Sequence, residues 1–134
     1  MTVAREAMVS EPAALDAGAS AAEAGERLAQ PDIRAVLVCD EGRLVGVVTR
    51  TTLVREVVAG RRDPGTTRLG DIAEEPRFTI AADMPVENAF QLLEEHDLER
   101  VPVVEGDRLV GVLSRSVLQR RLAEDEPLSE LAES

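Results

Sequence analysis

Seven residues, Arg43–Thr49 (RLVGVVT), return about 65 positions later as Arg108–Ser114 (RLVGVLS), so one supersecondary unit is used twice. In each copy a polar turn (Asp40, Glu41, Gly42; Glu105, Gly106, Asp107) separates two apolar runs. A glycine then sits inside the second run, shortly before a hydroxyl residue. The pattern predicts strand, hairpin, strand and the start of a helix in each copy.

The flanks repeat as well. Glu11-Pro12 leads into Ala13-Ala14-Leu15, and Glu75-Pro76 leads into Arg77-Phe78-Thr79-Ile80, each a turn followed by a short extended segment. Ser20-Ala21-Ala22-Glu23 has the form of a capping box, which predicts a helix over Ala21 to Gln30. In the second copy Met84 takes the capping position and Pro85 the first helical one, followed by an apolar stripe of Val86, Ala89, Phe90 and Leu93. The hairpins run Val36 to Cys39 with Leu44 to Val48, and Val101 to Val104 with Leu109 to Leu113. Their unbroken apolar character predicts strands covered on both faces. A helix closes each copy. Thr51 to Ala59 buries Leu53, Val54, Val57 and Val58 and has Gly60 as its C-cap, and Ser116 to about Ala123 buries Leu118 and Leu122.

This reading divides the chain into a first repeat over residues 1–60, an ordered linker over 61–68 with its Pro-Gly turn, a second repeat over 69–123 and an acidic tail over 124–134. Pro12 aligns with Pro76 but Gly46 with Gly111, a one-residue slip that predicts a shorter first long helix or exit turn.

Charge and composition exclude several function classes. A formal net charge of -11 repels polyanions, and with Phe78 and Phe90 the only aromatic residues there are no platforms for stacking bases; neither nucleic acid nor membrane is an expected partner. All 15 basic residues are arginine, four of which (Arg55, Arg61, Arg62, Arg68) flank the middle of the chain. The single cysteine, Cys39, reads as a small core residue in a reducing compartment. With no apolar span and no leader pattern, the expected location is the cytoplasm. His96 has no second histidine with which to share a metal, and Glu74-Glu75 and Glu94-Glu95 read as solvated faces. No nucleophile with a helper is visible, so the chain is not expected to be an enzyme.

The duplicated β-α-β-β-α order, the Val101-Pro102-Val103 strand start, the short acidic hairpin and the Gly-apolar-apolar-Thr/Ser exit resemble a tandem pair of cystathionine-β-synthase (CBS) domains, from about Thr2 to Ala123. The resemblance implies an α/β (α+β) fold: two repeats packed about a pseudo-twofold axis, with small mixed sheets and helices on the outer face. It also implies a stand-alone regulatory module with adenosyl-ligand sites in clefts between the repeats, and a homodimeric disc of two such pairs. No cofactor is required, and AMP, ADP, ATP or S-adenosylmethionine is the implied regulatory ligand.

Carried onto this sequence, the family's ligand motif falls on Gly46, Val47, Thr49, Arg50 and Thr52 in the first copy. In the second it falls on Gly111, Val112, Ser114 and Arg115, with Val101 and Pro102 from the preceding strand. The hydroxyl contacts phosphate or ribose, and an Asp three residues on accepts from the ribose hydroxyls; here that position holds Thr52 and Val117. Leu37 stands where the second copy has Pro102. Arg50 and Arg115 read either as phosphate clamps or as surface arginines paired with carboxylates. Two functions compete: a sensor that transmits occupancy to a regulated enzyme or transporter, with the first motif as its site, and a dimerising interaction module whose ligand sites have degenerated.

Overall fold

The computed structural model describes residues 2–10 and 13–125; the Glu11-Pro12 turn and the acidic tail beyond Asp125 lie outside the described residues. The fold is mixed α/β, and the chain forms two compact units.

One unit comprises residues 13–77 with 107–109. Strand β2 (Ala14–Asp16) lies parallel to β3 (Ala35–Asp40), which pairs antiparallel with β4 (Arg43–Thr49) in the expected hairpin. Between β2 and β3 runs helix α2 (Ala21–Leu28), capped by Ser20, whose Oγ accepts from the Glu23 N–H at 3.3 Å. The stripe Ala21, Ala24 and Leu28 is buried against Val36, Val38 and Val48, so the 3.6-residue and two-residue periods meet in one core. Alternate central strand residues are buried and the others half-buried or, like Val45, exposed, a correction to the expectation of two covered faces.

After β4 come α3 (Arg50–Leu53) and a π-helical turn (Val54–Val58), closed by the Ala59 N–H donating to the Val54 carbonyl at 2.8 Å. The wider closure changes which side chains face in. Val57 is buried and Leu53 half-buried, whereas Val54 and Val58, expected in the core, are 58% and 71% exposed. Nor is Gly60 the left-handed cap. Arg61 has φ +56°, its N–H and that of Arg62 returning to the Val58 and Val57 carbonyls. Gly60 serves close approach instead, since a Cβ there would lie 2.4 Å from the Glu56 carbonyl oxygen.

The other unit comprises, among the described residues, 2–10, 78–106 and 110–125. Strand β5 (Ile80–Ala81) is parallel to β6 (Arg100–Glu105), β6 neighbours β7 (Arg108–Ser114), and the short β1 (Val9–Ser10) lies antiparallel on β7. Helix α5 (Val86–Glu95) begins one residue later than expected, with Pro85 at the cap, because Pro85 has an extended ψ of 140° and so stands outside the helix. Its Val86, Ala89 and Leu93 are buried with Val101, Val103, Leu113 and Leu118, the last from α6 (Arg115–Asp125). His96 caps α5 and stacks on Phe78, the ring centroids 4.2 Å apart.

Each unit also takes in a short helix that precedes the other repeat in sequence. Helix α1 (Ala4–Ala7) joins the core of Val86 and Leu93, and α4 (Leu69–Ile72) joins that of Ala21 and Leu28. The bonds match at a constant spacing of 65 residues. Ala4 N–H donates to Met84 O as Leu69 N–H does to Ala19 O, and Arg5 to Ala82 as Gly70 to Ala17. Val86 N–H donates to Thr2 O as Ala21 N–H does to Thr67 O, so the segment read as a linker covers the first turn of α2. Pairings at Val9 with Val112 and Glu74 with Val47 keep the same spacing, as do those of β2 with β3 and β5 with β6. The slip between Pro12 and Pro76 therefore falls ahead of β2 in sequence. Helix α2, at 8 residues, is shorter than α5, at 10, as the alignment allowed, and its exit is correspondingly longer, so that helix and exit together are equal in the two repeats.

Candidate functional site

In the first repeat, Gly46, Val47, Thr49, Arg50 and Thr52 occupy the end of β4 and the start of α3. Gly46 is buried under the strand-like segment Ala73-Glu74, where a Cβ would meet the Ala73 Cβ at 2.5 Å and the Glu74 carbonyl oxygen at 3.0 Å. That absent side chain lets Glu74 pair with Val47 through both main-chain groups, at 2.8 and 2.9 Å.

Thr49 and Thr52 cap one another. The Thr52 hydroxyl accepts from the Thr49 N–H at 3.0 Å, and the Thr49 hydroxyl from the Thr52 N–H at 3.3 Å, with the two oxygens 3.0 Å apart. The Thr52 hydroxyl also lies 3.4 Å from Glu74 Oε2, and Thr52 is fully buried. The other oxygen of Glu74 pairs with Arg55. Arg50 turns away from this cluster: its Nη2 donates to the Gln30 and Ile33 carbonyls at 2.8 and 2.7 Å, tying down the exit of α2.

The second repeat places Gly111, Val112, Ser114 and Arg115 likewise at the end of β7 and the start of α6, with Val101 buried and Pro102 half-buried on β6. Gly111 has the same role as Gly46, since a Cβ would lie 2.4 Å from Met8 Sδ and 2.8 Å from the Val9 carbonyl oxygen. The Ser114 hydroxyl accepts from the Val117 N–H at 3.3 Å, but Val117 has no hydroxyl to answer with, so only half of the reciprocal cap exists. Arg115 holds Asp97 at 3.1 Å and Glu99 at 3.7 Å, again bracing the exit of the preceding helix.

Glu74 and Arg55 therefore join the first motif although the motif pattern names neither. Glu74 reads in sequence as one of two adjacent solvated carboxylates, and only the pairing of its segment with Val47 brings it here. Cys39 lies half-buried on β3 opposite Asp16; burial, and then the Asp16 charge, push its thiol up. Among the described residues, no group of three His, Cys, Asp or Glu could hold a metal ion, and no helix is long and apolar enough to cross a membrane.

Comparison with known proteins gives this geometry its context. The chain is 30% identical to hypoxic response protein 1 of Mycobacterium tuberculosis over 125 residues, 92% of this chain and 87% of that protein. A crystal structure of hypoxic response protein I with two coordinated zinc ions covers 90% of this chain and 99% of its own, at 28% identity and a TM-score of 0.75. Two further structures share the fold at 21% identity. CBSX2 in complex with AMP has a TM-score of 0.74, over 95% of this chain and 100% of its own. The CBS domain pair of MJ0100 in complex with 5′-methylthioadenosine and S-adenosylmethionine has a TM-score of 0.67, over 94% and 99%. The family model of the CBS domain matches twice, over residues 4–59 and 69–124, each match ending in one of the two Gly-to-hydroxyl strands and the helix that follows it, and the chain belongs to the CBS domain family.

Proposed function

We propose that this chain is a regulatory module that binds an adenine nucleotide or S-adenosylmethionine at its first motif and passes occupancy to a partner. The observation that carries the reading is the cluster at the end of β4: the Thr49 hydroxyl, the Thr52 cap and the Glu74 carboxylate, built on the glycine at position 46. Support comes from the ligands in complex with CBSX2 and MJ0100, AMP, 5′-methylthioadenosine and S-adenosylmethionine. Within the first motif, Gly46, Val47, Thr49 and Thr52 are the residues assigned to the ligand. For the second motif the corresponding assignment is Gly111, Val112 and Ser114, with Val101 and Pro102. Arg50 and Arg115 brace the exits of α2 and α5. Transmission requires the ligand to favour one arrangement of the module over another.

The module acts without chemistry of its own, as a homodimer in the cytoplasm, through a regulated enzyme or transporter. Self-association is favoured by the exposed Val54 and Val58, one turn apart on the same helix. A second reading, an interaction module with degenerate sites, is favoured by Thr52 being fully buried and hydrogen-bonded within the chain and by Val117 offering no polar group.

A thermal-shift and calorimetric screen of AMP, ADP, ATP, S-adenosylmethionine and NAD, up to millimolar concentration, separates the two. A ligand that binds only the folded chain raises its apparent stability by mass action. A saturable shift that is lost in the Thr49→Ala variant supports the sensor, and a dimer silent to the whole panel supports the interaction module.

A further inference from the structure

Glu74 is held more firmly than a surface carboxylate needs to be. Its main chain is locked on Val47 by two bonds of 2.8 and 2.9 Å, Arg55 pairs with one carboxylate oxygen, and the Thr52 hydroxyl lies 3.4 Å from the other. Yet its side chain is 48% exposed. Each carboxylate oxygen has two acceptor positions, so the group keeps unused capacity while its direction is fixed. It points into the Thr49–Thr52 cluster, and the Arg55 guanidinium offsets its charge against an anionic ligand.

The second repeat has no carboxylate at the matching position. The residue matching Glu74 at the 65-residue spacing is Val9, which pairs with Val112 as Glu74 pairs with Val47. Val9 is 62% exposed, and the residue matching Thr52 is Val117. One repeat thus fixes a carboxylate beside its motif through main-chain pairing; the other has an apolar edge at that place, and its Ser114 hydroxyl lies 3.5 Å from the Glu99 carboxylate, which Arg115 also holds at 3.7 Å.

We infer that Glu74 is the acceptor for the two adjacent ribose hydroxyls of AMP at the first motif, and so decides whether that site distinguishes a ribonucleotide from a deoxyribonucleotide. The assignment rests on the adenosyl-ligand reading above. Two vicinal hydroxyls donating to one ionised carboxylate form charge-assisted bonds, stronger than those to a neutral acceptor. In the second motif the carboxylate near the hydroxyl is Glu99, which comes from the exit of the preceding helix and not from the position matching Glu74.

Isothermal calorimetry with AMP and 2′-deoxy-AMP, on the full chain and on E74Q and E74D, tests this. The wild type favours AMP by about tenfold, E74Q weakens AMP more than 2′-deoxy-AMP, which has only its 3′-hydroxyl bond to lose, so that the preference collapses, and E74D keeps part of it. Thermal unfolding of each variant confirms that it is folded, and a purely structural role for Glu74 would weaken both ligands equally. A ribose preference that survives in E74Q, or is absent from the wild type, overturns the assignment and leaves the sensor reading standing. If AMP does not bind but S-adenosylmethionine does, the assignment again fails alone. If nothing in the panel binds, both fail together.

Discussion

The hydroxyl oxygens of Thr49 and Thr52 lie 3.0 Å apart, each accepting from the other residue's main-chain N–H. With Thr52 fully buried, its hydroxyl is the acceptor that keeps the Thr49 N–H satisfied at the start of α3. Thr52→Val keeps the shape and removes that acceptor, which costs about 1–3 kcal/mol of stability in urea unfolding. Thr52→Ser retains the hydroxyl and falls well short of that loss. Equal stability of the valine and serine variants would rule out the reciprocal cap.

Arg50 and Arg115 stand at matching positions but brace their units by different means. Arg50 donates to the main-chain carbonyls of Gln30 and Ile33, while Arg115 reaches the side chains of Asp97 and Glu99. Bonds from a charged donor are worth about 1.5–3 kcal/mol when shielded, and Arg50 is exposed, so Arg50→Ala destabilises by about 1–1.5 kcal/mol. Arg50→Lys recovers only part, because one ammonium does not reproduce the guanidinium fork. Arg115→Ala costs less than about 1 kcal/mol, since Asp97 is 92% exposed and solvent screens the pair. Denaturation midpoints of the three variants check the ranking; a larger loss at Arg115 contradicts it.

Arg61 sits at φ +56°, in the left-handed region that glycine enters freely. Arg61→Gly relieves that strain and raises stability by about 0.5–1 kcal/mol. Gly60→Ala acts in the opposite sense, because its Cβ would lie 2.4 Å from the Glu56 carbonyl oxygen. Thermal melts of the two variants should move in opposite directions.

The Cys39 thiol is pushed up by burial and then by the Asp16 carboxylate, its partner across β2 and β3. Iodoacetamide should therefore modify the folded chain more slowly than the urea-unfolded chain at pH 8, and Asp16→Asn should speed the folded reaction. The sign for stability follows. The unfolded chain releases the thiol proton first, so the contribution is intact below the ordinary thiol value of about 8.5 and is lost as pH rises above it. Equal alkylation rates in the folded and unfolded chains would show the thiol to be unshifted.

The repeat itself was legible, because Arg43–Thr49 and Arg108–Ser114 carry the same strand words and both hairpins form where those words stand. The stripe of α5 follows directly from apolar spacing, and the start of α2 from its Ser20 cap. What local pattern does not encode is partnership across the chain. Glu74 looks like any surface glutamate until its segment lies on Val47, and α1 and α4 are too short to show a period. The π-helical turn escaped for a related reason: Leu53, Val54, Val57 and Val58 fit an α-helical stripe, and only the closure from Ala59 to Val54 turns two of them outward.

Helices α1 and α4 each cover the repeat they do not precede, and this bears on how the gene can be cut. A half-length product ending before Leu69 would carry α1 as a plug without its socket, and a socket without α4. Such a fragment is a building block with two mismatched ends, and a second, complementary fragment supplies what each end lacks. Mixed, the two halves are expected to restore both plug-and-socket pairs, each made at the same 65-residue spacing.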